Sequence, residues 1–196
     1  MSDPKTIGVY DARAQDYATL TGTEEPDETL RAFMAALPDA ARVLDLGCGP
    51  GGASAHMAKA GFQVDAWDAS AAMVELASKI PGVSARQARF DDLDAIGEYD
   101  AVWANFSLLH APLAEIPSHL TAIKRALKSG GLFHIAVKEG EGENRDAIGR
   151  RYSYFTRDSL SDLLNQAGLT PGPWKSGRDK GLSGKIDPWI ATLAHA

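Results

Sequence analysis

The sequence predicts an α/β fold, a doubly wound and mostly parallel sheet with helices on both faces. Three observations carry that expectation. Val43-Leu44 runs into Gly47-Cys48-Gly49-Pro50-Gly51-Gly52 and then into an alanine-rich stretch, Ala53 to Ala60, which reads as strand, glycine turn and helix. Short apolar runs then alternate with segments of helical spacing along most of the chain. Finally, Leu132 to Val137 is a compact apolar run, the pattern of a strand buried on both faces.

The elements follow in order. Tyr10, Ala14, Tyr17 and Ala18 share helical spacing ahead of the first strand, and Leu30, Phe33, Met34 and Leu37 form an amphipathic stripe between Pro26-Asp27 and Pro38. Gly61 ends the helix after the glycine turn, and Phe62 to Trp67 is the second strand, closing on Asp68. Ser70 to Ile80 is helical until Pro81-Gly82, and Val83 to Ala88 is a short third strand. Tyr99 to Ala104 is the fourth strand, followed by the loop Asn105 to His110. Ser118 to Leu127 is a helix ended by Gly130-Gly131, and Leu132 to Val137 is the fifth strand. Thr156 caps a helix carrying Leu160, Leu163, Leu164 and Ala167, and Leu169 to Trp174 and Pro188 to Leu193 supply two last strands. Between those two, Ser176 to Asp187 reads as a mobile hairpin loop. The count is seven strands with alternating helices.

With 196 residues, 44% of them hydrophobic and 23% charged, the chain is expected to form one domain over residues 1–196 with a substantial core. A net charge of −6 argues against broad contact with a phosphate backbone, so no nucleic-acid partner is expected. Cys48 is the single cysteine, which excludes an internal disulfide and makes a cytoplasmic setting the default. Met1 to Gly8 is polar, and no apolar run approaches a membrane span. The histidines form no set with metal-ligand spacing, so no metal is expected. His134 reads as a core residue, and His56 and His119 as surface helix residues.

Asp45 narrows the ligand. Gly47, Gly49 and Gly52 satisfy a dinucleotide-type glycine pattern, yet a carboxylate two residues before the first glycine would repel a pyrophosphate. It would attract a ligand with positive charge and no phosphate, and S-adenosylmethionine (SAM) fits, with its sulfonium and ammonium groups. A carboxylate merely bonded to loop amides is the other reading of Asp45. Asp68 follows Gly49 by 19 residues, near the interval of a ribose-binding acid, and its two oxygens suit a diol; capping the next helix is its alternative role.

Val43-Leu44-Asp45-Leu46-Gly47-Cys48-Gly49-Pro50-Gly51 resembles the first motif of the class I (seven-stranded, Rossmann-like) SAM-dependent methyltransferases, of the small bacterial type. The likeness extends from about Tyr10 to Leu193 and loses specificity after Lys138. It implies strand order 3-2-1-4-5-7-6, with the last strand antiparallel. It implies SAM as cofactor and S-adenosylhomocysteine (SAH) as product, with backbone or side-chain contacts from Asp45, Gly47, Cys48, Gly49, Gly51, Asp68 and Ala69. It also implies a helical lid within residues 1–40, where Tyr17 either packs over the cofactor or anchors its helix. The family often has an acid where Arg89 stands, so the adenine is expected at the Phe90 backbone, with Asp91 receiving its amino group. In such a sheet strand order reverses between the first and fourth strands, which sets Asn105, Phe106 and His110 near the transferred methyl.

The expected chemistry is in-line transfer of that methyl to a nucleophilic atom of a small-molecule acceptor by a monomer or homodimer. His110 is the candidate base if the acceptor must lose a proton, and a pocket-shaping residue otherwise. The Gly-rich, charged stretch Lys138 to Tyr154 reads either as a solvated loop or as a substrate lid, in which Lys138, Arg145, Arg150, Tyr152 and Tyr154 hold an anionic or aromatic acceptor. Competing readings are a non-catalytic SAM-binding module, an NAD-dependent oxidoreductase on the same glycine turn, and a protein or RNA methyltransferase.

Overall fold

The structure, a computed structural model, describes residues 3–196; residues 1 and 2, the first of the segment 1–40, lie outside the described residues. Three helices precede the sheet: α1 (Pro4–Ala12), α2 (Ala14–Thr21) and α3 (Glu28–Ala35). The helical spacing from Tyr10 to Ala18 is therefore split, because Arg13 leaves helical geometry at φ −124° and ψ 23°. Asp3 and Asp27 cap α1 and α3 through hydrogen bonds from the Thr6 and Leu30 amides.

The sheet is built from β1 (Arg42–Leu46), β2 (Gln63–Asp68), β3 (Val83–Gln87), β4 (Tyr99–Asn105), β5 (Leu127–Lys138), β8 (Thr170–Lys180) and β9 (Ile186–His195). The remaining elements are α4 (Gly52–Lys59), α5 (Ala71–Ala77), α6 (Ile116–Ala126), α7 (Arg157–Gln166) and a small hairpin of β6 (Glu143–Arg145) with β7 (Arg151–Ser153). Spatial order is β3-β2-β1-β4-β5-β9-β8, the expected order once the hairpin is set aside. β9 runs antiparallel to both β5 and β8, and the other pairs are parallel.

Strand alternation sorts the core onto two faces. Leu44, Leu46, Val102, Ala104, Phe133, Ile135 and Val137 pack with Leu120 and Ile123 of α6 and Leu160 and Leu164 of α7. Val43, Val64, Ala101, Trp103 and Leu132 pack with Leu30 and Phe33 of α3 and Met57 of α4. His134 lies in this core, stacked on Trp103 with ring centroids 3.7 Å apart, and burial lowers it to about 3. His119 is also buried, against the surface position expected for it, because it sits on the inward stripe of α6 beside Phe90.

Two other elements differ from the sequence reading. The stretch Ser176 to Asp187 is mostly strand, since β8 and β9 stay paired from Thr170↔His195 out to Lys180↔Ile186. Antiparallel pairing satisfies the backbone there whatever the side chains, so the glycines and lysines cost little. The stretch after Lys138 is folded too, because Glu143 to Arg145 pairs with Arg151 to Ser153. Among the described residues no helix is long and apolar enough to cross a membrane.

Alternation also turns Asp45 toward α4, where Ser54 Oγ donates a hydrogen bond to its carboxylate at 2.6 Å. Asp45 is 2% exposed, and burial raises it to about 7. An unfolded aspartate releases its proton above about pH 4, so stability falls as pH rises from about 4 to about 7. Asp45→Asn removes that loss. Denaturant unfolding should show it more stable than the parent by on the order of 2–4 kcal/mol near pH 8, with little difference near pH 4.

Candidate active site

The site starts at the turn between β1 and α4. Gly47, Gly49 and Gly51 all have positive φ, at 82°, 56° and 88°, conformations that a side chain resists. The Gly47 and Cys48 amides donate to the Trp67 carbonyl at 2.7 and 2.9 Å, which ties the turn to the end of β2. Asp68 completes the tie, accepting from the Gly49 amide and from the Ser70 amide at 2.9 Å each. Its carboxylate therefore organises backbone on both sides and still lines the cavity. Burial raises its pKa, against the lowering effect of those amide bonds.

A cavity of about 80 Å³ opens at this end of the sheet. Of the residues expected to hold the cofactor, Tyr17, Gly47, Gly49, Asp68, Ala69, Phe90, Asn105 and Phe106 form its walls, with His110. Tyr17 lies over the turn, its ring 3.4 Å from where a Gly49 Cβ would stand. Four expected residues are off the walls. Asp45 is held beneath the turn by Ser54, and Cys48 is buried with Ala66 and Ala77. Gly51 packs on α5, leaving no room for a Cβ beside Ile80 and Ala77. Asp91 is exposed, and its carboxylate lies 3.8 Å from His119 Nδ1.

Asp91 and Glu115 bracket His119, with the Glu115 carboxylate 3.8 Å from the other ring nitrogen. Their ligand atoms lie within 4.8 Å of one another, a grouping that sequence spacing did not suggest. Each acid faces a different nitrogen of the ring, and burial lowers the pKa of His119.

A second cavity, of about 230 Å³, adjoins the first. Its walls include the expected His110, Lys138, Arg150 and Tyr152, together with Leu109, Trp189, the end of α2 and the tip of the β8–β9 hairpin. Arg145 and Tyr154 are not among them. Arg145 is turned toward α1, where it donates to both carboxylate oxygens of Asp3 at 2.8 and 2.7 Å. Tyr154 packs on Gly140 instead. The charged stretch after Lys138 thus braces α1, and the cover over the second cavity comes from α2 and the β8–β9 tip.

Among the described residues, Lys138 and Arg150, two of the three lysines and arginines on these walls, are already paired; Lys180 at the hairpin tip is the third. Arg150 is 2% exposed and meets Asp146 through Nε at 3.0 Å, and Lys138 Nζ meets Asp187 at 2.6 Å while lying 3.6 Å from the centre of the Tyr152 ring. His110 is held at both nitrogens, by the Arg151 carbonyl at 2.6 Å and the Tyr10 hydroxyl at 2.9 Å. Burial lowers His110 to about 4, so the ring is neutral at pH 7.

Sequence reasoning missed Tyr10 as a site residue. Its helical spacing marked an inward face, but its partners lie 100 and 140 residues away. Phe106 carries a clearer sign, a positive φ of 55° at an aromatic residue, held by its amide bond to the Ala136 carbonyl. Backbone strain of this kind costs about 1–3 kcal/mol and is concentrated at functional sites.

Gly47 is the least replaceable residue of the turn, since a Cβ there would overlap the Ser107 side chain. Gly47→Ala is expected to destabilise the chain by about 3 kcal/mol, from unfavourable φ and overpacking together, read as a lowered midpoint of denaturant unfolding.

The family model described as "Methyltransferase domain" matches residues 43–131, the segment from β1 to the turn within β5. An uncharacterized methyltransferase of Synechocystis sp. is 34% identical over 171 residues, covering 78% of each chain. A ubiquinone biosynthesis O-methyltransferase of Cereibacter sphaeroides is 31% identical over 177 residues, covering 80% of this chain and 70% of that one. Among solved structures, the 1,6-didemethyltoxoflavin-N1-methyltransferase of Burkholderia thailandensis superposes with a TM-score of 0.75 at 25% identity, over 97% of this chain and 87% of that one. That structure contains SAH. The residues here fit the same kind of ligand: two buried or half-buried carboxylates, Asp45 and Asp68, flank a turn of bare backbone, and among the described residues Arg89 is the single lysine or arginine on the cavity walls. With its sheet order, its Asp45-to-Gly51 turn and these relatives, the chain belongs to the class I SAM-dependent methyltransferases.

Proposed function

We propose that the chain moves the methyl group of SAM in-line onto a planar, aromatic small molecule seated in the second cavity. The observation that carries this reading is the common wall of the two cavities, formed by Tyr10, Tyr17, Phe106 and His110. Groups that bound both spaces mark where a methyl leaves one and enters the other. SAM, when bound, supplies a methyl carbon on a positively charged sulfur. The protein's own part is to align the acceptor with that carbon and to exclude water, an effect worth several kcal/mol.

In this reading Gly47, Gly49, Asp68, Ala69, Phe90, Asn105 and Phe106 hold the cofactor, and Tyr17 closes over it. Asp45, raised to about 7 by burial, acts from beneath the turn by ionising as the cofactor's positive charge enters. An aromatic acceptor is favoured over an anionic one because Arg150 and Lys138 are each neutralised by a carboxylate. Leu109, Phe106, Tyr152 and Trp189 add an apolar and aromatic surface to these walls, with Lys180 and Asp179 confined to the hairpin tip. The Burkholderia neighbour binds 1,6-didemethyltoxoflavin, and the Cereibacter relative is named for ubiquinone biosynthesis; both support a small-molecule acceptor.

Residues 1–40 belong to one domain with the rest and include its lid. Thr6 is the buried residue of α1, and the helix is held by polar bonds at both ends of the site. Asp3 meets Arg145, Thr6 Oγ1 accepts from the Arg151 amide at 2.8 Å, and Asp11 accepts from Ser70 Oγ at 2.6 Å. Such contacts exchange readily for water, so α1 opens at small cost. Its opening suits a cavity well below the roughly 300–1,000 Å³ of ordinary ligand sites. A cytoplasmic setting and a monomer or homodimer complete the reading.

Calorimetric titration of the purified protein with SAM, SAH and NADH tests the cofactor assignment. Saturable binding of SAM and SAH without NADH is expected, and NADH binding alone would overturn it. Deleting residues 1–21 should leave a folded domain that binds SAM at least about tenfold more weakly, by about 1.4 kcal/mol or more. Parental affinity in the truncated chain would remove α1 and α2 from the lid.

A further inference from the structure

The polar chain behind the common wall has a direction. A backbone carbonyl only accepts, so the Arg151 carbonyl, 2.6 Å from His110 Nδ1, puts the ring proton on Nδ1. His110 Nε2 is then an acceptor, and its partner at 2.9 Å is the Tyr10 hydroxyl, which donates to it. A guanidinium only donates, and Arg150 Nη1 donates to the same Tyr10 oxygen at 2.8 Å. Tyr10 Oη therefore gives one bond and takes one, and its second lone pair lies toward the Tyr152 hydroxyl, whose place a bound acceptor would take. Tyr10 lines both cavities. His110, the expected base, has no lone pair left for an acceptor, because its own is taken by Tyr10.

From this geometry we propose that Tyr10 is the catalytic residue that takes the proton of the methyl acceptor and relays its own to His110, so that the acceptor is an aromatic O–H or N–H compound. The inference rests on the methyl-transfer reading above. The acceptor's O–H or N–H bond breaks, and its proton passes to Tyr10 Oη as the Tyr10 proton passes to His110 Nε2. The acceptor's electron pair forms the new bond to the methyl carbon, and the methyl–sulfur bond breaks with its pair left on sulfur. The positive charge that leaves sulfur reappears on the His110 ring, so the net charge of the closed site is unchanged. The groups facing that ring include Tyr10, Arg150, Lys138, Asp146 and Tyr152. Burial, with Arg150 and Lys138 nearby, keeps the ring neutral at pH 7 and weakens it as a base, so it takes the proton only as the sulfonium charge is lost. Arg150, fixed by Asp146, steadies negative charge that develops on Tyr10 Oη.

The test uses the full chain, SAM, and two phenols of different acidity. One is 4-methylphenol, which keeps its proton at neutral pH; the other is 4-nitrophenol at a pH where it is already a phenolate. With 4-methylphenol, Y10F should lose roughly 100-fold or more in kcat, with the KM for SAM unchanged, and its rate should climb with pH as the acceptor ionises by itself. With the 4-nitrophenolate, Y10F should stay within about threefold of the parent, because no proton remains to be removed. Equal losses on both phenols would mean that Tyr10 only packs, and no loss on 4-methylphenol would mean that it takes no proton; either result overturns the relay. H110Q carries the same test through the second member of the relay should Y10F not fold. A parent that binds SAM yet methylates neither phenol overturns the proposed acceptor class and the relay with it. A parent that binds neither SAM nor SAH overturns instead the reading on which both rest.

Discussion

Close approach at Gly47 is the constraint on which the site depends. The turn after β1 and the loop after β4 meet there, with Ser107 occupying the space a side chain would need and its Oγ donating to the Leu46 carbonyl at 2.6 Å. β1 and β4 are neighbours in the sheet, and strand order reverses between them. Such a reversal opens a crevice at the carboxyl ends of the strands. Without a glycine at position 47 the two loops would be pushed apart, and Phe106 would lose its place on the common wall. The strained φ of Phe106 is sustained by the same packing, with its amide tied to Ala136 on β5.

A second level of organisation joins the two halves of the site across α1. Asp11 bonds to Ser70 and the Ala72 amide at the start of α5, on the cofactor side. Asp3 and Thr6, which line the first cavity, and Tyr10, which lines both, bond to Arg145, the Arg151 amide and Arg150. One short helix thus ties the walls of the first cavity to His110 and Arg150 on the walls of the second. Those bonds are polar, and the buried residue of the helix is Thr6. The Asp3–Arg145 pair also explains the charge in the β6–β7 hairpin, which serves the helix rather than the ligand.

Much of this architecture was legible in the residues. The glycine turn after Val43-Leu44, the apolar run at Leu132 and the capped helices at Asp27 and Thr156 are local patterns with local causes, and the structure places them where those causes require. Asp68 was legible as a residue beside the turn through its interval from Gly49, and its bond from the Ser70 amide agrees with the capping role that was its alternative; the bond from the Gly49 amide was not legible. Less legible were segments whose state depends on a distant partner. The polar stretch beyond Ser176 is strand because β9 lies beside it, and His119 is buried because α6 turns that side inward. Arg145 read as a ligand-binding residue, since its charge was visible and its partner Asp3, 142 residues away, was not.

By itself, then, the sequence determined the fold class and the glycine turn, through periodicity and spacing that act over a few residues, while a ligand of positive charge was implied by Asp45 and by the resemblance that Val43 to Gly51 carries. Tertiary structure decided which polar groups converge. Tyr10, His110, Arg150 and the Arg151 carbonyl come from three separate regions of the chain and meet within hydrogen-bond distance only once α1 docks on the finished sheet. The physical reason is that a hydrogen bond needs its partners placed to within a few tenths of an ångström. That precision belongs to packed elements, and no local pattern encodes it.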